Sequence, residues 1–120
     1  MSVVFAHWCP HCDPPALEAG ERIGRELGVP LKLLDIDVRE QEKEADRMVA
    51  EHGDWAEDYL IPQIFLEFTG GVKHVFTGYS EGVPVTRKAL ANLLSSQWYK
   101  KLVEEIATSL SMTGRACWCS

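Results

Sequence analysis

The chain has 120 residues, of which 46% are hydrophobic and 25% are charged, a composition that suits one globular domain. Its formal net charge of -6 at pH 7 argues against nucleic acid and anionic membranes as partners. The sequence has no run of about 18 apolar residues that could span a bilayer. Its first residues also lack the features of an export signal, so we expect a cytoplasmic protein.

The first third of the chain predicts a strand, a helix and a second strand. Residues 2–6 are β-branched and aromatic, and the run is too short for a stable helix, so it predicts a strand inside a sheet. A helix is predicted to begin near Cys9 and to end at Gly28, with Pro14 and Pro15 kinking or delaying its first turns. The nearly continuous apolar run 31–38 is typical of a buried strand parallel to the first.

The middle of the chain predicts a surface helix followed by a hairpin. Segment 40–52 is strongly charged and carries a thin apolar stripe at helical spacing, formed by Ala45, Met48 and Val49. Two strands, 63–68 and 72–77, flank a glycine turn and are predicted to pair antiparallel.

The last third predicts helices and then a tail. Apolar residues at helical spacing cover 86–111, as one long helix or as two with a bend near Ser95 and Ser96. We therefore expect one domain over 1–97 and a helical extension of the same domain over 98–111. Residues 112–120 lack periodicity and are expected to form a mobile tail.

The chemistry of the chain is concentrated in one segment that follows the first strand, Trp8-Cys9-Pro10-His11-Cys12. Two thiols separated by two residues allow one sulfur to attack a disulfide and the other to release the product. A helix beginning near Cys9 would aim free N–H groups and the positive end of its dipole at that sulfur, which predicts Cys9 as the nucleophile and Cys12 as the resolving thiol.

Two neighbours of the thiols have alternative interpretations. His11 either tunes the reactivity of Cys9 or is a solvated helix residue. Trp8 either packs at the rim of the site and shields the sulfurs or belongs to the core. Pro10 suits the first helical position.

A second pair of thiols, Cys117 and Cys119, lies in the predicted tail. This pair has three alternative interpretations. It is a second redox pair that exchanges with the first, a pair of metal ligands, or part of a passive tail. If all four cysteines act together, the alternative function is a module that binds zinc or Cu(I), with Cys9 and Cys12 as the other two ligands.

The order of predicted elements, with Cys-x-x-Cys at the first strand-to-helix turn and Ile61-Pro62 before the third strand, resembles the thioredoxin superfamily over residues 2–96. Segment 5–9, Phe-Ala-His-Trp-Cys, is similar to the lead-in of thioredoxins. The resemblance implies an α/β, thioredoxin-like fold, with a central four-stranded mixed sheet, flanking helices and here a C-terminal helical extension. It also implies a thiol:disulfide oxidoreductase without a cofactor or a metal. Its partners would be disulfide-containing proteins, with a reductase or a low-molecular-weight thiol as electron donor.

The resemblance further implies where substrate binds. The Ile61-Pro62 peptide bond is expected to be cis and to face the dithiol, and its backbone is expected to pair with an extended segment of the substrate. Gly78 and Tyr79 lie in a loop that partly matches the glutathione loop of glutaredoxins. Val3 stands where thioredoxins carry a buried Asp that relays protons, so proton transfer here must use water or another group.

Overall fold

The computed structural model describes residues 1–68 and 71–105, which together form four strands and four α-helices in a mixed α/β arrangement, with a short π-helical segment (Cys12–Ala16) directly before the first α-helix. In chain order the elements are β1 (Ser2–Phe5), α1 (Leu17–Leu27), β2 (Lys32–Asp35), α2 (Arg39–His52), β3 (Gln63–Phe68), β4 (Gly71–Thr77), α3 (Val83–Ser95) and α4 (97–105). Every element predicted within these residues is present, in the predicted order. None of the helices in the described part of the chain is long and apolar enough to cross a membrane.

The four strands form one mixed sheet in the order β2-β1-β3-β4. Strand β1 pairs parallel with β2 and antiparallel with β3, where Val4 lies opposite Gln63. Strands β3 and β4 form the predicted antiparallel hairpin. Because β1 and β3 run in opposite directions, the end of β1 and the start of β3 lie at the same end of the sheet. The dithiol segment and Pro62 therefore extend from the same end.

Strand β2 differs from its prediction. It covers only Lys32–Asp35 and lies at the edge of the sheet, so it has a neighbouring strand on one side only. Leu33 is 40% exposed, and Leu34 is the one fully buried residue of the strand. The parallel pairing was predicted correctly, but the expectation of a buried strand over 31–38 is wrong. A run of apolar residues does not reveal whether a strand has one neighbour or two.

The core has two parts, one on each face of the sheet. Successive side chains of a strand point to opposite faces, so Val3 and Val4 enter different clusters. The larger cluster takes residues from α1, α3 and α4. The smaller one takes the predicted stripe of α2, which packs on the opposite face. Both cysteines of the Cys-x-x-Cys motif belong to the larger cluster.

The start of the first helix is kinked at its prolines, as predicted. The Cys9 carbonyl accepts hydrogen bonds from the N–H groups of Cys12 and Asp13, at 3.1 and 3.0 Å. A short, kinked π-helical segment, Cys12–Ala16, then leads directly into α1. Asp13 has φ -119° and ψ 113°, and a cis peptide joins it to Pro14. The α-helix begins only at Leu17 because prolines lack the N–H donor and disfavour helical backbone in the residue before them.

The end of α1 follows the prediction. Gly28 adopts a left-handed backbone with φ 66°, and the N–H of Val29 donates to the carbonyl of Gly24 at 3.0 Å. This is the hydrogen bond that closes a helix before a glycine.

The C-terminal helical region is divided in two. Ser96 has an extended backbone, with ψ 154°, and its Oγ accepts the N–H of Tyr99 at 3.1 Å, which caps α4. Of the two alternatives, the structure therefore has two helices with a bend at Ser96. Tyr99 and Leu102 are buried in the larger core cluster. The rest of the predicted helix and the predicted tail over 112–120 lie outside the described residues.

Candidate active site

Cys9 and Cys12 lie on the turn that follows β1, and both are free thiols. The N–H of Cys9 donates to the carbonyl of Ala6 at 3.2 Å, which holds the turn against the end of the strand. Cys9 is 5% exposed, whereas Cys12 has no exposed surface. Cys12 is thus the more deeply buried residue of the pair.

The surroundings of Cys12 keep it protonated at neutral pH. Burial raises the pKa of the Cys12 thiol far above its ordinary value, and a hydrogen bond from the backbone of Ala6 opposes this only in part. A hydrogen bond with the sulfur of Cys9 and the nearby charges of Cys9 and Asp13 raise the pKa of Cys12 further. Cys12 is therefore placed as a thiol beside the sulfur of Cys9.

His11 does not extend freely into solvent. Its Nδ1 lies 2.7 Å from Oγ1 of Thr86, a residue with no exposed surface in the first turns of α3. His11 is thus only partly exposed and is anchored at one ring nitrogen. Its predicted effect on Cys9 stays a prediction. Thr86 was not identified from the sequence, because the contact joins residues 75 positions apart and no local pattern marks it.

His7 is a second residue to which the sequence gave no role. The exposed imidazole packs edge-on against Phe5, with ring centroids 4.9 Å apart. Its Nδ1 is 3.6 Å from Asp13, and its Nε2 is 3.8 Å from Asp35 at the end of β2. Asp13 and Asp35 thus form an acidic rim beside the dithiol turn, with His7 between them.

The Ile61-Pro62 peptide bond is cis, as predicted, and it lies against the loop that follows β4. The N–H of Gly78 donates to the carbonyl of Pro62 at 2.9 Å. A Cβ atom at Gly78 would lie 2.6 Å from Cδ of Pro62 and 2.9 Å from the carbonyl oxygen of Ile61. Only glycine allows this approach. Pro62 shares the end of the sheet with the dithiol turn, while the expectation that it faces the sulfurs stays a prediction.

A buried amide holds the loop before Pro62. Gln63 has no exposed surface, and its Nε2 donates to the carbonyls of Leu60 and Asp54, at 3.0 and 3.2 Å. Its Oε1 accepts the N–H of Asp54 at 3.2 Å. One side chain thus binds both ends of the segment that leads into the cis proline. The sequence analysis placed Gln63 in a strand but did not identify this role.

The aromatic residues of the site lie at its surface. Trp8 is 65% exposed, so the interpretation as a core residue is wrong and Trp8 lies on the rim. Pro10 is exposed beside it, and Tyr79 is exposed on the loop after β4. That loop forms one wall of a groove of about 700 Å³ that continues along β4 to Leu93 and Trp98.

The second cysteine pair, Cys117 and Cys119, lies outside the described residues. The zinc or copper alternative requires those two thiols in addition to Cys9 and Cys12. Within residues 1–68 and 71–105, no group of three or more His, Cys, Asp or Glu side chains is arranged to hold a metal ion.

Comparisons with known proteins give no assignment. No protein-family model matches the chain, and no curated protein or solved structure matches it. The chemical role of the protein must therefore be inferred from its residues and their geometry.

Proposed function

We propose that this protein is a thiol:disulfide oxidoreductase with a thioredoxin-like fold, in which Cys9 is the nucleophile and Cys12 the resolving thiol. The observation that carries the proposal is the difference between the two sulfurs. Cys12 is fully buried and its pKa is raised by burial, while Cys9 lies beside it with a small accessible surface. A dithiol with one sulfur held protonated has a defined order of attack.

The reaction transfers two electrons from the protein to a disulfide. The thiolate of Cys9 attacks one sulfur of the substrate, forms a mixed disulfide and releases the first substrate thiolate. Cys12 then loses its proton to water or to a nearby base and attacks the Cys9 sulfur. The Cys9–Cys12 disulfide forms, the second substrate thiolate leaves, and the substrate disulfide has been reduced to two thiols.

The substrate in this proposal is a disulfide in a protein segment that can adopt an extended conformation. Such a segment would pair with the backbone of Ile61, because the Pro62 carbonyl already accepts the Gly78 N–H and proline has no N–H of its own. The loop of Gly78 and Tyr79 lies against the proline. A low-molecular-weight thiol or a reductase returns the dithiol to its reduced form. In the cytoplasm the prevailing reductants would keep the pair reduced between turnovers.

Cysteine variants test the proposal with a protein disulfide as substrate and a chemical reductant. Cys9→Ser is expected to abolish reduction, because it removes the attacking sulfur. Cys12→Ser is expected to accumulate a mixed disulfide between Cys9 and the substrate, which mass spectrometry detects. The double variant Cys117→Ser, Cys119→Ser serves as the control and should react like the wild-type protein. A Cys9→Ser variant as active as wild type would disprove the proposal, and so would a Cys12→Ser variant that traps no substrate.

A further inference from the structure

The hydroxyl of Thr86 connects two parts of the candidate active site. It lies between the dithiol turn, which carries His11, and the loop after β4, which carries Tyr79. Nδ1 of His11 is 2.7 Å from Oγ1 of Thr86, and the backbone N–H of Tyr79 donates to the same oxygen at 3.0 Å. Thr86 has no exposed surface, so water cannot replace either partner.

The hydrogen-bonding capacity of the hydroxyl determines the direction of its bonds. A hydroxyl has one proton to donate and two lone pairs to accept with. The Tyr79 N–H can only donate, so it occupies one lone pair. The hydroxyl proton then has two acceptors in reach, Nδ1 of His11 at 2.7 Å and the Tyr79 carbonyl at 3.5 Å. Only the shorter contact has the length of a normal hydrogen bond from a hydroxyl.

Thr86 therefore donates to Nδ1, and the neutral imidazole of His11 carries its proton on Nε2. The reverse arrangement would leave the Thr86 proton with only the long contact to the Tyr79 carbonyl. The ring is thus held at one nitrogen by a buried partner, while the other nitrogen is the one available to groups in the site.

We propose that Thr86 is a positioning residue, which fixes the orientation and tautomer of His11 and fastens the loop of Tyr79 to the dithiol turn. Its effect on catalysis rests on the proposed function, whereas the hydrogen bonds themselves do not. The same oxygen restrains the side chain of His11, two residues after Cys9, and the backbone of the loop that carries Tyr79. Loss of the hydroxyl should therefore affect substrate docking and the reactivity of Cys9 together.

Spectroscopy of the wild-type protein tests the hydrogen bonds directly. In nitrogen-15 NMR of the reduced protein, we expect an unprotonated Nδ1 and a protonated Nε2 in neutral His11. We also expect a slowly exchanging Thr86 hydroxyl proton with a scalar coupling to Nδ1. A protonated Nδ1 in the neutral ring, or a hydroxyl proton that exchanges with solvent freely, would overturn the assignment. This measurement depends on no variant.

Two matched variants test the positioning role. Thr86→Ser keeps the hydroxyl, and Thr86→Val keeps the shape but leaves the His11 and Tyr79 groups without their partner. Thr86→Ser should stay within about twofold of wild type in kcat/KM for a protein disulfide. Thr86→Val should lose about fivefold, the effect of one hydrogen bond of ordinary strength. Equal activity of wild type, Ser and Val variants would overturn the proposal. If Thr86→Val does not fold, Thr86→Ala provides the same comparison.

The His11→Ala background shows whether Thr86 acts on Cys9 through the imidazole. In the otherwise wild-type protein, Thr86→Val should change the pH profile of Cys9 alkylation. In His11→Ala the same change should have little further effect, because the two residues act as one unit. An equal effect in both backgrounds would show that Thr86 does not act through His11. The failure of the proposed function has a different signature, since then Cys9→Ser would reduce disulfides like wild type while the NMR result would still hold.

Discussion

Only two residues separate Cys9 and Cys12, yet their sulfurs have different surroundings. Cys12 is enclosed by the larger core cluster and is held protonated by burial, whereas Cys9 retains a small accessible surface. The burial of each cysteine is what distinguishes the two proposed roles.

Gly78→Ala tests the contact between the cis proline and the loop after β4. The added methyl group would lie 2.6 Å from Cδ of Pro62, so the loop must move away and lose its hydrogen bond to the Pro62 carbonyl. We expect the free energy of unfolding to fall by about 1–3 kcal/mol. We also expect KM for a protein disulfide to rise, while the rate with a small disulfide changes little.

Ser80→Ala is the matched control, because Ser80 is exposed in the same loop. Steady-state kinetics and urea unfolding of both variants provide the comparison. If Gly78→Ala behaves like Ser80→Ala in both measurements, the close approach to Pro62 has no role in docking.

At the scale of elements, the helix break at Ser96 allows α4 to pack against α1 and α3 in the larger core cluster. The break turns the chain so that Tyr99 and Leu102 enter the larger core cluster. The Tyr99 hydroxyl then donates to Oε2 of Glu26 near the end of α1, at 2.9 Å, and Glu26 also pairs with Arg22. A single polar contact thus connects the first helix with the last one described.

Tyr99→Phe removes this hydroxyl and keeps the buried ring. We expect the free energy of unfolding to fall by about 1 kcal/mol, because Glu26 is partly exposed and solvent recovers part of the lost hydrogen bond. Urea unfolding measures the change. Trp98→Phe is the control, since Trp98 is exposed and its replacement should have a much smaller effect. Equal losses in the two variants would show that the contact with Glu26 contributes nothing specific.

At the scale of the whole molecule, three groups resist ionisation at alkaline pH, of which Cys12 and Tyr99 are buried and Tyr59 is partly buried. Burial raises the pKa values of Cys12, Tyr59 and Tyr99, and hydrogen bonds to Asp46 and Glu26 raise those of the two tyrosines further. Cys12 and Tyr99 belong to the larger core cluster, while Tyr59 packs against the smaller one on the other face of the sheet. Both halves of the core therefore contain groups that unfolding would allow to ionise.

The reduced protein is therefore expected to lose stability as the pH rises. In the unfolded chain a thiol releases its proton near pH 9.0 and a tyrosine near pH 10.0, while the folded protein retains these protons. The unfolded state then binds fewer protons, so the free energy of unfolding falls with increasing pH through this range. The stability contributed by these groups is fully present below pH 9.0.

Urea unfolding at a series of pH values measures this dependence. Cys12→Ala should make the first part of the decline shallower, and Tyr59→Phe should do the same for the later part. A wild-type stability that stays constant from neutral pH to above 10.0 would contradict the expectation.

Local patterns in the sequence predicted most of the element boundaries. The strands over 63–68 and 72–77 and the apolar stripe of α2 agree with the structure to within a residue or two. Periodicity and glycine turns depend on neighbouring residues, so they can be seen without the fold. The prolines at 14 and 15 indicated a delayed helix, but the break at Asp13 was not located because it depends on the backbone conformation of one residue.

The sequence by itself determined the order of the elements and the position of the dithiol, because both follow from short-range spacing. It also marked Ile61-Pro62 as the peptide bond able to be cis. The tertiary structure alone decided which strand lies at the edge, since strand order depends on pairing between distant segments. It alone placed Thr86 against His11 and Gly78 against Pro62. Contacts between residues far apart in the chain leave no periodic signal, so only the folded arrangement brings these parts of the site together.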